Sequence, residues 1–444
     1  MKRLFGTDGI RAVAGEPPLD PATVRRFGAA LAEVLRDGAK QCRVALGRDT
    51  RESGAWLTDA VAIGLGSRAI DGVDAGVIST PGLAHVVRSC GFGAGVMISA
   101  SHNPFQDNGL KAFGPDGAKL PDSMERRIEA LLLDHGVEDP GAGGAPHVVD
   151  TSLIERYVAR LETVLPADRL RGLRIVADCA NGAACAIAPR VLSHYGARVD
   201  AIGIEPNGRN INLGCGSLHL EALAARVRAT RADLGLAFDG DADRCLAVDG
   251  QGRVVDGDHI LFVTGTRLKR NGHLRGDALV ATIMSNFWLE ERLGREGVHL
   301  HRAPVGDKYV LEKMVAEDLV LGGEQSGHVI FREFATTGDG VLTGLVLLDA
   351  VVDGPSLDTV LDGIRPYPQE IVNVRVRAKP DLRAHPRIGR VVREVEAALD
   401  GCGRVVLRYS GTEPLARVMI EGQDAASVRR LVTELARVIE EELG

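Results

Sequence analysis

Aromatic residues are scarce in this chain. Phe, Trp and Tyr make up only 4% of 444 residues, with two tryptophans. The cores must therefore be built from Ala, Val, Leu and Ile rather than around large rings. There is no excess of positive charge either: 53 Lys and Arg stand against 60 Asp and Glu, a formal charge of −7. That argues against a general nucleic-acid binder, which would carry a basic face, and leaves room only for a local basic pocket. No run of about 18 uninterrupted apolar residues occurs, so no membrane span is expected. Met1 to Gly9 contains no apolar stretch of the secretory kind, and a cytoplasmic protein is expected. Cysteine is sparse and odd in number, at positions 42, 90, 179, 185, 215, 245 and 402. None falls in a CxxC pair, so the thiols read as reduced and mostly buried, with no disulfide or zinc framework.

Glycine, by contrast, is abundant, with 54 residues pointing to many tight loops. The length suggests about three domains, with two to four all compatible. Short apolar runs alternate with helical stretches: Arg43 to Gly47, Val73 to Ile78 and Gly95 to Ile98 read as strands, and Ala55 to Ala69 as a helix. Asp134 to Pro146 is rich in Gly and Pro and reads as a linker. The alternation restarts at Arg174, with a helix expected over Ala183 to His194, and again near Asp256. The tail differs, with period-two alternation from Ile371 to Arg377 after a boundary marked by Pro366 and Pro368. The expectation is an α/β fold with three similar mixed-sheet α/β/α domains and a smaller α+β C-terminal domain. The boundaries fall at 1–146, 147–255, 256–366 and 367–444.

Five segments carry chemistry. Ser99-Ala100-Ser101-His102-Asn103-Pro104 follows a buried strand, and Asn103-Pro104 marks a turn. Ser101 is then expected as an exposed hydroxyl, weak as a nucleophile unless something activates it. Nearby, Asn108-Gly109 reads as a hairpin turn, with Lys111 starting the returning strand as a phosphate partner. Asp239-Gly240-Asp241-Ala242-Asp243-Arg244 places three carboxylates at i, i+2 and i+4. Without a cation they would repel, and a hard divalent ion removes the conflict. An EF-hand is excluded because its sixth and twelfth positions are Arg244 and Gly250 here. Arg244 beside the acids suggests a bridging anion such as phosphate. Gly322 to His328 (GGEQSGH) offers Glu, Gln and Ser to sugar hydroxyls and His328 as an acid/base group. Arg408-Tyr409-Ser410-Gly411-Thr412-Glu413-Pro414, with Arg417 close by, has the parts of a phosphate cradle. Phe5 to Arg11 (FGTDGIR) adds glycines and an available guanidinium at Arg11. Each segment alone also reads as an ordinary polar turn.

Taken together, and in this order, FGTDGIR, SASHNP, DGDADR, GGEQSGH and RYSGTEP resemble the α-D-phosphohexomutase family over essentially the whole chain. The resemblance implies four domains around one cleft. It implies Ser101 as a phosphoserine, and Asp239, Asp241 and Asp243, with a phosphate oxygen on Ser101, as holders of Mg²⁺. Glu324 and Ser326 would grip sugar hydroxyls. Arg408, Ser410, Gly411 and Thr412 would hold the distal phosphate, with Arg417 beside them. Arg11, Arg244 and Lys111 are the supporting cations, and either Lys111 or His328 would deprotonate the attacking hydroxyl. Gln325 resembles the branch acting on glucosamine phosphates, since the mannose and glucose branch often reads GEMSGH or GESSGH. The implied reaction interconverts glucosamine 6-phosphate and glucosamine 1-phosphate through a 1,6-bisphosphate, feeding cell-wall amino-sugar synthesis. Alternatives are a mutase of glucose or mannose phosphates, a serine phosphatase and a non-catalytic sugar-phosphate binder. The resemblance is compatible with a homodimer and implies neither a nucleic-acid nor a membrane partner. Ala242 and Ala12 stand where the family often has Gly.

Overall fold

The computed structural model describes residues 4–6, 8–36, 42–134, 136–143, 147–410 and 413–444. Four sheets follow one another along the chain, with six, five, four and three strands. In the first, the order is Ile10–Val13, Asp107–Phe113, Ala94–Ile98, Arg43–Arg48, Asp71–Val77 and Val148–Val149. Its middle strands are parallel, while Asp107–Phe113 returns antiparallel to Ala94–Ile98. The second sheet repeats the scheme. Arg174–Asp178 lies parallel to Arg198–Ile202 and Leu234–Phe238, and Cys245–Asp249 returns antiparallel. The third does so again, with Ala278–Thr282 parallel to His299–Ala303 and Leu321–Gly323, and Val329–Phe331 returning. The fourth sheet is wholly antiparallel, in the order Gln369–Arg375, Leu415–Gly422, Gly403–Tyr409.

This scheme positions the site. In each of the first three units, one buried parallel strand turns and comes back antiparallel. The three turns carry SASHNP, DGDADR and EQSGH. The fourth unit places RYSGTEP at the equivalent turn of its hairpin, where Gly411 and Thr412 lie outside the described residues. Turns at the carboxyl ends of parallel strands are where open α/β sheets bind ligands. The central strands Ala94–Ile98 and Leu234–Phe238 are buried at every residue, which explains their continuous apolar runs.

The cores are aliphatic, as the shortage of aromatics requires. One large cluster runs from Tyr157 to Ile364, so the second and third units share a core. The first and fourth units pack on cores of their own. Between the third and fourth, the Asn286 side chain bonds both the N–H and the C=O of Tyr367 at 3.0 Å. Tyr367 lies between the two prolines that mark the boundary. Among the described residues, no helix is long and apolar enough to cross a membrane.

Two local expectations are corrected. Asn108-Gly109 is not a turn; both residues lie inside the strand Asp107–Phe113. A Cβ on Gly109 would meet the Ser99 carbonyl oxygen at 2.5 Å and that of Ile10 at 2.9 Å. Glycine is needed there for close approach of strands, not for a bend. The helix expected from Ala183 begins at Ala188, ahead of Pro189, and runs to His194. Proline is favoured in a first helical turn, where its missing N–H costs nothing.

Candidate active site

Ser101 sits at the end of its strand with φ 53° and is fully buried. The expectation of an exposed hydroxyl is therefore wrong. Its Oγ donates to Asp239 Oδ2 over 2.5 Å and lies 3.2 Å from His102 Nδ1. The turn is held from below by residues the sequence reading missed. Arg51 donates to the carbonyl oxygens of Ser101 at 2.9 Å, Asn103 at 2.8 Å, Asp107 at 3.0 Å and also Pro104. Arg51 is paired with Asp49 at 2.9 Å, both side chains wholly buried. Asp49 also accepts from Ser99 Oγ, which accepts the Ser101 N–H. Asn212, from the second unit, donates to the Ser101 and Asn103 carbonyls at 2.9 and 3.0 Å. The Gly-Arg-Asp-Thr-Arg run at the end of the second strand was a visible signal for the first pair. Asn212 had none.

The aspartate turn meets this serine directly. A Cβ on Gly240 would lie 2.6 Å from the Ser101 carbonyl oxygen, so glycine lets the two turns touch. Ala242 adopts φ 57° and is buried. That conformation costs an L-residue roughly 1–2 kcal/mol and explains why glycine suits this position. Asp239, Asp241 and Asp243 are buried, and one oxygen of each lies within 4.8 Å of the others. Asp241 Oδ1 and Asp243 Oδ1 are buried without a hydrogen-bond partner. Burial and then its two acidic neighbours push the Asp239 carboxyl well above its ordinary range. Hard oxygen donors with unmet acceptor capacity and mutual repulsion fit a magnesium ion.

Cations converge on the same carboxylates. Lys111 is buried, with Nζ at 2.7 Å from Asp241 Oδ2, 3.0 Å from Asp8 Oδ2 and 3.3 Å from Asp243 Oδ2. Burial alone would depress its ammonium, but Asp241, Asp8 and Asp243 outweigh burial and raise it well above an ordinary lysine. Arg11 pairs with Asp8, and Arg244 Nε lies 3.8 Å from Asp243 Oδ1. Thr80, at the start of a helix in the first unit, gives its hydroxyl to Asp241 Oδ2 over 2.5 Å. Burial and then the neighbouring Arg244 and Arg11 guanidiniums push the His102 ring down to about 4, so it is neutral near pH 7.

The third unit closes the circle. Glu324 Oε1 accepts from the Gly306 N–H at 3.0 Å, and Ser326 Oγ lies 3.4 Å from Glu324 Oε2. Gln325 donates to Asp256 Oδ2 at 3.2 Å, so its side chain braces the neighbouring helix start. His328 is buried, with Nε2 3.5 Å from Asp307 Oδ2, 4.0 Å from Asp243 Oδ2 and 3.3 Å from the Gly338 N–H. Its Nδ1 is buried without a partner. These residues surround a cleft of about 570 Å³ that Arg11, His102, Asp243, Arg244, Glu324 and His328 all line.

Arg408, Ser410 and Arg417 are not brought into that cleft wall. Arg408 and Arg417 face one another as register partners on adjacent strands. Burial, then the like charge of Arg417, lowers the Arg408 guanidinium. Arg417 Nε is buried and unpartnered, and Lys379 reaches the Ser410 carbonyl at 2.6 Å. Three basic groups thus gather around one turn outside the cleft lining.

Family models described as phosphoglucomutase/phosphomannomutase domains I, II, III and IV match residues 2–136, 155–252, 256–367 and 371–438. The chain belongs to the phosphoglucomutase/phosphomannomutase family. Within that family, a phosphoglucosamine mutase of Solibacter usitatus is 49% identical over 444 residues, covering all of this chain and 99% of the relative. One from Deinococcus radiodurans is 47% identical, covering 99% and 98%. A phosphoglucomutase/phosphomannomutase family protein from Burkholderia thailandensis has a solved structure with TM-score 0.80 at 24% identity, covering 99% and 98%. The N-acetylphosphoglucosamine mutase of Aspergillus fumigatus, solved with GlcNAc-6P and magnesium, has TM-score 0.68 at 18% identity, covering 100% and 96%. At these identities the two structures carry the fold alone.

Proposed function

We propose that this chain interconverts glucosamine 6-phosphate and glucosamine 1-phosphate, with Ser101 as a phosphoserine donor. The observation that carries the reading is the Ser101 hydroxyl bonded to the first residue of the aspartate triad. Phosphoryl transfer needs mainly positioning and charge neutralisation, and this turn offers both. In the first step the bond from phosphorus to Ser101 Oγ breaks and a bond to the sugar hydroxyl oxygen forms. The hydroxyl proton leaves to a base, and a 1,6-bisphosphate results. The bisphosphate reorients, its other phosphoryl group returns to Ser101, and the product departs.

Asp239, Asp241 and Asp243 would hold Mg²⁺, which when bound supplies Lewis-acid neutralisation of phosphate charge. Lys111 stays cationic between its carboxylates and suits electrostatic support of the transferred group. His328, which lines the cleft and keeps an unpartnered Nδ1, suits the proton transfer. Arg11 and Arg244 flank the same point. Glu324 and Ser326 would take sugar hydroxyls. Arg408, Ser410, Gly411, Thr412 and Arg417 would hold the phosphate that is not reacting. Their distance from the cleft wall calls for the fourth unit to swing about Tyr367 when substrate binds. Domain limits at 1–146, 147–255, 256–366 and 367–444, a cytoplasmic setting and a homodimer complete the reading.

The test is turnover of glucosamine, glucose and mannose 6-phosphates side by side, with intact mass of the resting enzyme. Glucosamine 6-phosphate should lead, and the mass should carry one phosphoryl group. A faster rate on glucose or mannose phosphate overturns the amino-sugar assignment. Stoichiometric release of inorganic phosphate would make the protein a phosphatase.

A further inference from the structure

Lys119 has no part in the reading above, yet it holds a carboxylate of the first unit and one of the third at once. Its Nζ lies 2.6 Å from Asp8 Oδ1 and 2.6 Å from Asp307 Oδ2, with its side chain only 12% exposed. Asp8 belongs to the N-terminal FGTDGIR turn of the first unit. Asp307 opens the helix Asp307–Ala316 of the third. Both partners reach further inward. Asp8 uses its other oxygen for Lys111 at 3.0 Å, and Asp307 lies 3.5 Å from His328 Nε2. Lys111 and His328 in turn meet at Asp243, at 3.3 and 4.0 Å. The contacts close a ring: Lys119, Asp8, Lys111, Asp243, His328, Asp307 and back to Lys119. Its members come from three different units.

We propose that Lys119 is a positioning residue for phosphoryl transfer. It ties the first unit to the third and, through Asp8 and Asp307, fixes Lys111 and His328 about one oxygen of Asp243, Oδ2. The proposal rests on the reading of Lys111 and His328 as the groups flanking the transferred phosphoryl. The physical reason is competition for partners. Without Lys119, Asp8 is left to Lys111 and Arg11 alone and draws Lys111 away from Asp241. Asp307 is left to His328 alone and draws the ring away from Asp243. Next to Asp307, the Gly306 N–H holds Glu324 Oε1, so the sugar turn would move as well. Misplacement of reacting groups by about 1 Å costs on the order of a hundredfold in rate.

A merely structural tie between the units would behave otherwise, and the molecule supplies a control. Thr336 Oγ1 donates to the Gly117 carbonyl at 2.8 Å, joining the same two units outside the ring. The experiment compares Lys119→Met, Lys119→Arg and Thr336→Val by steady-state kinetics and thermal unfolding. Rates are taken on whichever of the three sugar phosphates the unaltered enzyme turns over fastest, so a wrong sugar assignment and a wrong role for Lys119 give different results. Lys119→Met should lower kcat by about 10- to 100-fold while KM changes less than about threefold. Lys119→Arg should recover most of the rate, and Thr336→Val should keep kcat within about twofold of the unaltered enzyme. Should Lys119→Met fail to fold, Asp307→Asn, which keeps shape and removes charge, must show the same kcat loss. A kcat within about twofold of the unaltered enzyme for the charge-removing variant, an equal loss in Thr336→Val, or no recovery with arginine overturns the proposal.

Discussion

Ser101 Oγ donates to Asp239 Oδ2 over 2.5 Å, although 138 residues separate the two and each lies in the turn after a strand of a different sheet. The contact brings the donor atom and the aspartate cluster to one point. Replacing Ser101 by Ala removes that donor alone. Turnover should fall by at least about a thousandfold, while sugar-phosphate binding by calorimetry persists. The phosphoryl mass on the resting protein should vanish. Residual turnover near the original rate would assign the phosphoryl carrier elsewhere.

Asp241 is the member of the triad that also takes Thr80 and Lys111. Asp241→Asn keeps shape but removes one charge from the cluster. Magnesium affinity, titrated directly into the protein without substrate, should weaken at least about tenfold. The rate at saturating metal should fall as well. Unchanged magnesium affinity would mean the ion is held by other groups.

Arg51 supports the serine turn through four carbonyl oxygens and neutralises the buried Asp49. Arg51→Met leaves that carboxylate buried without its partner. Loss of one member of a buried pair costs about 3–5 kcal/mol, which urea unfolding should register. Asn212→Ala removes two bonds to the same turn without stranding a charge. It should cost less stability yet slow turnover, because the Ser101 backbone loses its hold from the second unit.

Asp339 is fully buried, and burial raises its carboxyl from 3.8 to about 6. The Tyr157 hydroxyl faces both its oxygens at 2.9 Å, and Asp339 caps the helix that follows through the Leu342 N–H. A raised carboxyl stabilises the fold fully below the unfolded value and loses that contribution as pH climbs through about 6. A shift of about two units corresponds to about 3 kcal/mol. Asp339→Asn keeps the cap, accepts from Tyr157 and does not titrate. Its unfolding free energy should therefore fall less between pH 4 and 7 than that of the parent. Parallel pH curves would show that Asp339 ionises as an ordinary carboxylate.

The strands that end in site turns were legible because burial on both faces leaves an apolar run that stops abruptly at a polar motif. Ala94–Ile98 before SASHNP and Leu234–Phe238 before DGDADR are of this kind. The return strands were harder to read. Asp107–Phe113 carries Asn, Gly and Lys, and its burial comes from neighbours far along the chain, so local pattern suggested a turn. The motifs gave the reacting groups, but their supports were silent. Arg51, Asn212 and Lys119 act on backbone carbonyls or on distant carboxylates; only Arg51, in its charged run after a strand, carries a local mark, and nothing near Asn212 or Lys119 singles them out. Burial of Ser101 was misread for a related reason: its cover comes from the second unit, pressed close by Gly240.

That cover has a kinetic consequence. On the proposed role of Ser101, a phosphoryl group carried on a side chain with no solvent exposure would be poorly reached by bulk water. Hydrolysis, the reaction that would drain such a carrier, would then be slowed in the interval between sugars. An enclosed sugar hydroxyl would then be the favoured acceptor. Long life of a charged enzyme between encounters would thus follow from where the second unit rests on the first.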